Sequence, residues 1–247
     1  MSHHIVEARD LHFAYPDGAE ALRGVSFRIV HGESVAVIGP NGAGKSTLLM
    51  HLNGFLTPTR GEVRIGETPI TRDTVRAIRQ TVGVVFQDPD DQLFMPTVFE
   101  DVAFGPLNQG LPPQETERRA TAALERVGML HLRDRPPHEL SAGEKRAAAI
   151  ATVLAMEPAV LVLDEPSSNL DPRGRRRLIE WLRSFDHTKI VATHDLELVV
   201  EVCGRVLVLD DGRVVAEGPT RDVLNDEPLM LAHGLERPHI LRHGHPH

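Results

Sequence analysis

The chain has 247 residues, of which 41% are hydrophobic, and this is enough to bury the core of one large α/β domain, which argues against a disordered chain. Its 27 Lys and Arg are outnumbered by 35 Asp and Glu, and the formal charge of -8 argues against bulk attraction to nucleic acid or anionic lipid as the main mode of binding. Any phosphate must therefore be bound locally.

The sequence also predicts the compartment. Residues 1–10 are polar and lack the basic flank and apolar stretch of a signal peptide, and no stretch approaches the ~20 apolar residues that span a bilayer. Cys203 is the single cysteine, so an internal disulfide cannot form, which fits a reducing compartment. We expect a cytoplasmic protein that serves any membrane process by docking onto other subunits.

The first third of the chain predicts short strands and one helix. Short β-branched runs alternate with turn residues, which favours an antiparallel sheet that leads into a central strand. A glycine-rich turn follows that strand, and good helix formers come next. The predicted strands are residues 5–8, 25–30, 34–38, 63–65 and 82–86, and the predicted helix is 45–52.

From residue 89 the chain becomes polar and helical, with proline breaks at 112–113 and 136–137. We interpret about 89–156 as a helical sub-domain inserted into the fold. Beyond it, strands alternate with helices, which predicts a mainly parallel sheet with its ligand at the C-terminal edge of the strands. The predicted helices are 115–127, 144–156 and 175–184, and the predicted strands are 160–163, 189–193, 206–209 and 213–216.

Residues 237–247 show no periodicity, and we interpret them as a tail. They contain His239, His243, His245 and His247. Two interpretations stay open: accidental histidines on a disordered segment, or a cluster that binds nickel, cobalt, copper or zinc through neutral imidazoles.

A phosphate-binding pattern lies between the predicted strand 34–38 and the predicted helix 45–52. It consists of Gly39, Pro40, Asn41, Gly42, Ala43, Gly44, Lys45 and Ser46. Glycines let the backbone turn tightly and bring its N–H groups against phosphate oxygens, and the helix N-terminus favours the anion. In this pattern Lys45 pairs with the β- and γ-phosphates, and Ser46 offers its hydroxyl to Mg²⁺. The sequence therefore predicts an α/β fold with a P-loop NTPase (RecA-like) core.

A pair of acids ends the apolar strand 160–163. In a phosphate-loop enzyme Asp164 would hold Mg²⁺, and Glu165 would polarise the water that attacks the γ-phosphate. Acids also end strands and cap helices for purely structural reasons, so the pair alone leaves both interpretations open. Its position ~120 residues after the phosphate loop favours the catalytic one.

Two further positions carry alternatives. Ser141, within residues 140–144, can cap the following helix, whose free N–H groups also form a second anion-binding terminus. His194 stands between a threonine and an aspartate at a strand end, where a turn with a helix cap is the simpler explanation.

Taken in order, these motifs resemble those of the ATP-binding cassette (ABC) ATPases over residues 3 to about 236. Residues 39–47 resemble the Walker A loop of that family, and 140–144 resemble its signature. Residues 160–165 resemble the Walker B strand, and 168–171 resemble the D-loop. We therefore assign 1–236 to one ATP-binding cassette, with an N-terminal antiparallel β sub-domain and the inserted helical sub-domain.

The resemblance implies ATP and Mg²⁺ as cofactors, and it implies a role for each matching residue. Gln87 stands at the Q-loop position, His194 at the switch histidine, and Tyr15 where the family stacks an aromatic ring on adenine. The implied catalytic residues are Glu165, His194, Gln87 and Lys45, and the implied metal ligands are Ser46, Gln87 and Asp164. The implied nucleotide contacts are Tyr15, Gly39, Pro40, Asn41, Gly42, Ala43, Gly44, Lys45, Ser46, Thr47, Gln87, Ser141, Gly143, Asp164, Asp171 and His194.

The resemblance further implies a dimer of cassettes, formed with a copy or a close homologue. Each ATP would lie between the phosphate loop of one subunit and Ser141 and Gly143 of the other. The signature departs from the family pattern, with Ala142 in place of glycine and Glu144 in place of glutamine. A β-carbon limits backbone approach only slightly, and a glutamate in the first turn favours the helix, so we expect a competent site.

Residues 86–94 and 97–106 resemble the ATPase subunits of energy-coupling-factor importers, in particular the branch for cobalt or nickel uptake. The implied partners are a transmembrane coupling subunit and a substrate-binding membrane subunit, without nucleic acid, at the cytoplasmic face of the membrane. Leu93, Phe94 and Met95 would form an apolar wall for a helix of the coupling subunit. The alternative is that these three side chains pack inside the cassette.

The leading hypothesis is therefore an ATPase that drives an importer. A soluble ABC ATPase of DNA repair or translation is the alternative, but such proteins usually carry a long coiled-coil insertion or two cassettes in one chain, and this sequence has neither. An unrelated phosphate-loop kinase or GTPase is disfavoured by residues 140–144 together with His194.

Overall fold

The structure is a computed structural model that describes residues 6–242. These residues pack as two compact units. The first comprises residues 6–79 together with 186–242, and the second comprises Gln80–Phe185. Within residues 6–242, none of the helices combines the length and the apolar content that crossing a bilayer requires.

The strands and helices follow the predicted alternation. The strands are β1 (Val6–Ala14), β2 (Glu20–Ile29), β3 (Ser34–Ile38), β4 (Arg60–Ile65), β5 (Thr68–Pro69), β6 (Val82–Val85), β7 (Val160–Asp164), β8 (Thr188–Ala192), β9 (Arg205–Asp210) and β10 (Arg213–Pro219). The helices are α1 (Lys45–Leu52), α2 (Val75–Thr81), α3 (Val98–Asn108), α4 (Pro113–Arg126), α5 (Ala142–Leu154), α6 (Pro172–Ser184), α7 (Leu196–Val202), α8 (Thr220–Asn225), α9 (Glu227–Ala232) and α10 (His239–Arg242).

The first unit contains the predicted antiparallel sheet, in the order β2-β1-β4-β5. Its inward positions carry apolar side chains such as Val6 and Leu11, which are buried. β1 continues to residue 14, beyond residue 8 where the predicted strand ends. The reason is a bulge at Asp10, where φ is 46° and the register of the β1–β2 pairing shifts, so the alternation of buried and exposed positions is interrupted.

The first unit also holds β3 between β8 and β9. β3 runs parallel to both, and β10 is antiparallel to β9. Val37 of β3 pairs with Ala192 of β8 and with Leu207 of β9. Because the C-terminal ends of parallel strands meet at one edge, the loop after β3 and the residues after β8 lie at the same edge.

The second unit combines two parallel strands with helices. Val85 of β6 pairs with Leu163 of β7, and every residue of β7 is buried. α3, α4 and α5 pack against one another, and α5 also packs on β6. This unit is larger than the predicted helical sub-domain of about 89–156, because β6, β7 and α6 belong to the same compact body.

The C-terminal segment is more structured than its sequence suggested. Residues 220–232 form α8 and α9, and the interval predicted as a tail contains α10, where Leu241 is buried. The predicted tail therefore does not begin at residue 237 as an irregular segment. Helices of six residues or fewer span too few turns for a 3.6-residue period to be visible. His243, His245 and His247 lie outside the described residues.

Candidate nucleotide-binding site

The loop after β3 passes so close to neighbouring backbone that two of its positions have no room for a side chain. A β-carbon at Gly39 would lie 1.9 Å from the carbonyl oxygen of Leu209 in β9. A β-carbon at Gly44 would lie 2.5 Å from the carbonyl oxygen of Ala21, and the φ of Gly44 is 101°. Both positions therefore require glycine on steric grounds, as the phosphate-binding pattern predicts.

Lys45 begins α1, and its side chain folds back over the same loop. Its Nζ donates hydrogen bonds to the carbonyl oxygens of Gly39 at 2.8 Å and Pro40 at 3.0 Å. The loop is supported from the β9–β10 turn, where the Gly212 N–H donates to the Ala43 carbonyl at 3.1 Å. A positive charge thus lies beside a helix N-terminus, and both features favour an anion.

Tyr15 is linked to the phosphate loop through a side chain of α1. Its hydroxyl oxygen is 2.9 Å from Oγ1 of Thr47, and its ring meets Phe13 edge-on at 5.0 Å between centroids. His51 contacts the same Phe13 ring, and its Nδ1 is 2.7 Å from the Thr47 carbonyl oxygen. Burial lowers the pKa of His51, which favours the neutral ring. The aromatic residue predicted to contact adenine is therefore held by α1.

His194 follows β8 at the edge where the phosphate loop lies. Its side chain is exposed. The helix cap that the sequence left as an alternative belongs to Asp195, whose Oδ1 accepts from the Leu198 N–H at 2.9 Å. The imidazole of His194 is therefore not used as the cap of α7.

In the second unit, β7 delivers the two predicted acids to its C-terminal end. Asp164 is the last residue of the strand, and Asp164 and Glu165 are each only 6% exposed. Glu165 has a φ of 45°, in the left-handed region, which costs a non-glycine residue about 1 kcal/mol or more. Two adjacent buried carboxylates at a strained position favour a site that binds a cation.

Gln87 follows β6 by two residues, and its side chain is exposed. Its backbone is held by Arg146 of α5, which donates from Nη1 to the Phe86 carbonyl at 2.7 Å and from Nη2 to the Gln87 carbonyl at 2.6 Å. Arg146 is only 3% exposed. Burial lowers its pKa, while nearby carboxylates, among them Asp164 and Glu165, act in the opposite direction.

A second side chain joins α5 to the segment after β6. Gln92 accepts from the Phe86 N–H at 3.1 Å and donates to the Ala149 carbonyl at 2.9 Å and to Thr152 Oγ1 at 2.7 Å. Both the N–H and the carbonyl of Phe86 are thus bound by this network. The segment that carries Gln87 is therefore fixed to α5 at several points.

Ser141 caps α5 in a reciprocal arrangement with Glu144. The Glu144 N–H donates to Ser141 Oγ at 3.4 Å, and Glu144 Oε2 accepts from the Ser141 N–H at 2.8 Å and from its hydroxyl at 2.7 Å. These hydrogen bonds to the carboxylate lower the pKa of Glu144. The helix-cap interpretation of Ser141 is therefore correct, and it does not exclude an additional role.

Residues 168–171 lie beside the start of α5. A β-carbon at Gly143 would lie 3.8 Å from Cδ2 of Leu170, which is ordinary contact. Asp171 caps α6, since its Oδ1 accepts from the Gly174 N–H at 2.7 Å. The described residues therefore give no steric reason for glycine at position 143.

Comparison with known proteins decides the family. Residues 22–168 match the sequence pattern of the family described as ABC transporter. The chain belongs to the ABC transporter ATPases. The cassette is 65% identical over 238 residues to a Geobacter sulfurreducens chain named as an ABC transporter ATP-binding protein. The match covers 96% of each chain. It is 48% identical over 242 residues to the energy-coupling factor transporter ATP-binding protein EcfA of Methanocaldococcus jannaschii, covering 96% of the cassette and 87% of that relative.

Solved structures give the same result. The cbiO1 protein of Clostridium perfringens, described as part of the ABC transporter complex cbiONQ, has a TM-score of 0.81 and 40% identity, and covers 97% of the cassette and 98% of that chain. A dimeric ATP-binding cassette in a post-hydrolysis state, bound to ADP and Pi, has a TM-score of 0.79 and 28% identity. The match covers 87% of the present cassette and 98% of that chain. The P-loop NTPase fold, the family and the ATPase activity predicted from sequence are thereby confirmed.

The residues of the cassette fit the cofactors that the family implies. Cassettes of this family bind ATP or ADP, and the steric requirement for glycine at Gly39 and Gly44 matches a loop that wraps phosphate. Buried carboxylate at Asp164 and a hydroxyl at Ser46 are oxygen donors of the kind that Mg²⁺ prefers. Within the described part of the chain, no group of three or more His, Cys, Asp or Glu is arranged as a further metal site.

Two side chains that fix the segment after β6, those of Arg146 and Gln92, were not predicted from the sequence. Arg146 carried a detectable signal, because it lies on the stripe of α5 that also contains Ile150, Val153 and Leu154, all of which are buried. A charged residue on an apolar stripe must find partners inside the protein. Gln92 carried no comparable signal.

Proposed function

We propose that this cassette is the ATP-hydrolysing subunit of an energy-coupling-factor importer and works at the cytoplasmic face of a membrane. One observation carries the proposal. The cassette is 48% identical to an EcfA protein in a match that covers 96% of the cassette, and its fold is similar to that of cbiO1. The alternative of a soluble ABC ATPase for DNA repair or translation finds no support among these relatives, which are named for transport.

In this function the first unit binds the nucleotide. Lys45 neutralises the β- and γ-phosphates, the loop amides bind phosphate oxygens, and Tyr15 contacts the adenine ring. Ser46, Gln87 and Asp164 would hold Mg²⁺, which supplies electrostatic stabilisation of the phosphates. These roles are supported by the position of Lys45 over the loop and by the burial of Asp164.

In this proposal, residues of the second unit catalyse ATP hydrolysis. Glu165 would polarise the attacking water as a general base, and Gln87 would position that water. His194 of the first unit would hold the γ-phosphate and respond to its loss. The intact carboxylate at Glu165 and its strained, buried position support a site that hydrolyses ATP.

Hydrolysis in this proposal needs two cassettes, each presenting its signature to the ATP of the other. Gly143 supports this arrangement, because a β-carbon there would make only an ordinary contact with Leu170, and residues 6–242 give no steric reason for glycine. Solved relatives include a dimer of cassettes. Ser141 would then contact the γ-phosphate of the partner, and Asp171 would lie at the shared interface.

The second unit offers an apolar surface for the membrane subunit. Phe94 is 63% exposed and Phe104 is 41% exposed, their rings meet edge-on at 5.0 Å between centroids, and Leu107 is also exposed. We name Phe94, Phe104 and Leu107 the docking surface. Of the three residues expected to form this wall, only Phe94 is exposed to this degree, whereas Leu93 is buried and Met95 is half-buried.

A buried carboxylate fixes the turn that presents Phe94. Oδ1 of Asp101 accepts from the N–H groups of Phe94 and Met95, both at 3.0 Å. Burial raises the pKa of Asp101, against these two hydrogen bonds. Large aromatic side chains held outward on an ordered turn are typical of a protein interface. We propose that the docking surface receives a helix of the transmembrane coupling subunit.

Co-expression with the candidate membrane subunits tests the function. Purification from membranes should recover an intact complex that contains this cassette and a substrate-binding subunit. Reconstituted vesicles should take up cobalt or nickel ions when ATP is supplied on the cassette side, and Glu165→Gln vesicles should not. Recovery of the cassette only with ribosomes or DNA would overturn the proposal, and ATP-driven uptake of another solute would overturn the metal substrate alone.

A further inference from the structure

Arg146 is the most deeply buried arginine of the second unit, at 3% exposure, and the proposed mechanism gives it no role. It lies on α5, five residues after the cap Ser141. Its guanidinium donates to two successive carbonyl oxygens, those of Phe86 and Gln87, at 2.7 and 2.6 Å. One buried side chain therefore holds the backbone carbonyls on either side of the Gln87 Cα atom.

Stability alone does not account for a cation at this position. A buried charge carries a desolvation penalty, and apolar residues of similar volume are often equally stabilising in its place. The Nε atom of Arg146 is buried and has no hydrogen-bond partner among residues 6–242, which adds to that penalty. Both Nη atoms bind backbone carbonyls of the segment after β6, so the arginine is explained by what its Nη atoms hold.

We propose that Arg146 is a positioning residue for ATP hydrolysis, which fixes the Gln87 backbone to the signature helix α5 near the carboxylates of Asp164 and Glu165. A guanidinium presents its donors in a rigid fork, so it fixes both carbonyls at once. Movement of α5 would then move Gln87 with it. The inference rests on the role proposed for Gln87.

Arg146→Met removes the charge and the donors, and Arg126→Met is its matched control. Arg126 is an exposed arginine at the end of α4 in the same unit. We expect R146M to lower kcat about 10- to 100-fold while the Kd for ATP changes less than about twofold, because a catalytic group is displaced and the phosphate loop is untouched. R126M should stay within about twofold of wild type in both, because an exposed arginine contributes little.

Three readouts separate positioning from general destabilisation. Hydrogen exchange of residues 86–92 should rise in R146M, while exchange of β7 stays unchanged. R146K, which keeps the charge but lacks the fork, should recover part of kcat. The double variant R146M/Q87L should lose no more turnover than Q87L alone, because both changes act through one group.

The inference fails if R146M keeps wild-type kcat, or if the losses of R146M and Q87L multiply. If R146M does not fold, R146K decides: kcat lowered at least about threefold at unchanged ATP affinity supports the role, and wild-type kcat overturns it. A Q87L variant with normal turnover would instead refute the role proposed for Gln87. Loss in Q87L without loss in R146M would refute only the role of Arg146.

Discussion

The phosphate-loop region and the carboxylate region are built by different means. In the phosphate-loop region, residues 39–47, Gly39 and Gly44 pass so close to the backbone of Leu209 and Ala21 that only glycine fits, and the residue types that this requires lie next to one another in the sequence. In the carboxylate region, formed by the Gln87 segment, α5 and the end of β7, side chains such as Arg146 bind backbone some 60 residues away in sequence. Changes in the first region should alter nucleotide binding, and changes in the second should alter turnover.

Glu165→Gln is expected to have the largest effect, because it should nearly abolish turnover while leaving nucleotide binding intact. Loss of a general base lowers turnover about 10²- to 10⁴-fold, whereas ATP binding through the phosphate loop should remain and hold cassettes together as a dimer. Phosphate release and size-exclusion chromatography with ATP measure the two quantities. Glu180→Gln, at an exposed position of α6, is the control and should behave as wild type. Normal hydrolysis by E165Q would remove the assigned role.

Lys45→Ala is expected to show the opposite pattern, with binding lost first. A charge-assisted hydrogen bond contributes about 1.5 to 3 kcal/mol, so the Kd for ATP should rise about 10- to 150-fold. Titration with a fluorescent ATP analogue measures this. Arg72→Ala removes an exposed cation of the same unit and should leave Kd unchanged. An unaltered ATP affinity in K45A would contradict the loop assignment.

The same contrast explains which features could be predicted from sequence. β3 and α1 have the predicted bounds, Ser34–Ile38 and Lys45–Leu52, because a local glycine pattern separates two elements with clear periods. The acids Asp164 and Glu165 were found for the same reason, at the end of an apolar run. Local sequence was sufficient wherever the residue types that a feature requires lie next to one another in the chain.

Other features could not be predicted from the local pattern, for several different reasons. β1 was predicted too short because the bulge at Asp10 hides its alternation, and α8 to α10 are too short to show a period. Leu93 and Phe94 are adjacent and both apolar, yet one is buried and the other exposed. No local pattern separates them, because the Asp101 side chain fixes that turn. The Arg146 contacts join residues about 60 positions apart, so the local pattern could show that Arg146 needs partners but not which partners it has.

Phe94→Ser sharpens the comparison by leaving both regions intact. Truncating an exposed aromatic anchor of an interface costs about 2 kcal/mol or more, so binding to the membrane complex should weaken about 30-fold. The ATPase activity of the cassette without membrane subunits should stay within about twofold of wild type. Leu231→Ser, equally exposed but in the first unit, is the control and should assemble normally. Normal assembly of F94S would contradict the proposed docking surface.

Glu144→Gln should give the smallest effect, because it keeps the reciprocal cap and removes only its charge. In the proposed dimer, the γ-phosphate of the ATP bound to the partner approaches the N-terminus of α5. The Glu144 carboxylate already offsets part of the positive charge at that helix end, so it weakens the attraction for the phosphate. One charge near a helix terminus contributes about 0.3 to 1 kcal/mol. The ATP concentration for half-maximal hydrolysis should therefore fall about two- to fivefold in E144Q. An increase would contradict this arrangement.

The stability of the same variant provides the control. Hydrogen bonds from Ser141 hold the pKa of Glu144 below its ordinary value in the folded chain. Such a group stabilises fully above its unfolded-state pKa, and that stabilisation is lost as the pH falls through the folded-state value. E144Q should therefore unfold at a lower temperature than wild type at pH 7, and the difference should narrow below about pH 4. A difference of equal size at both pH values would mean that the charge of Glu144 contributes nothing to the cap, and the lower ATP requirement would then need another cause.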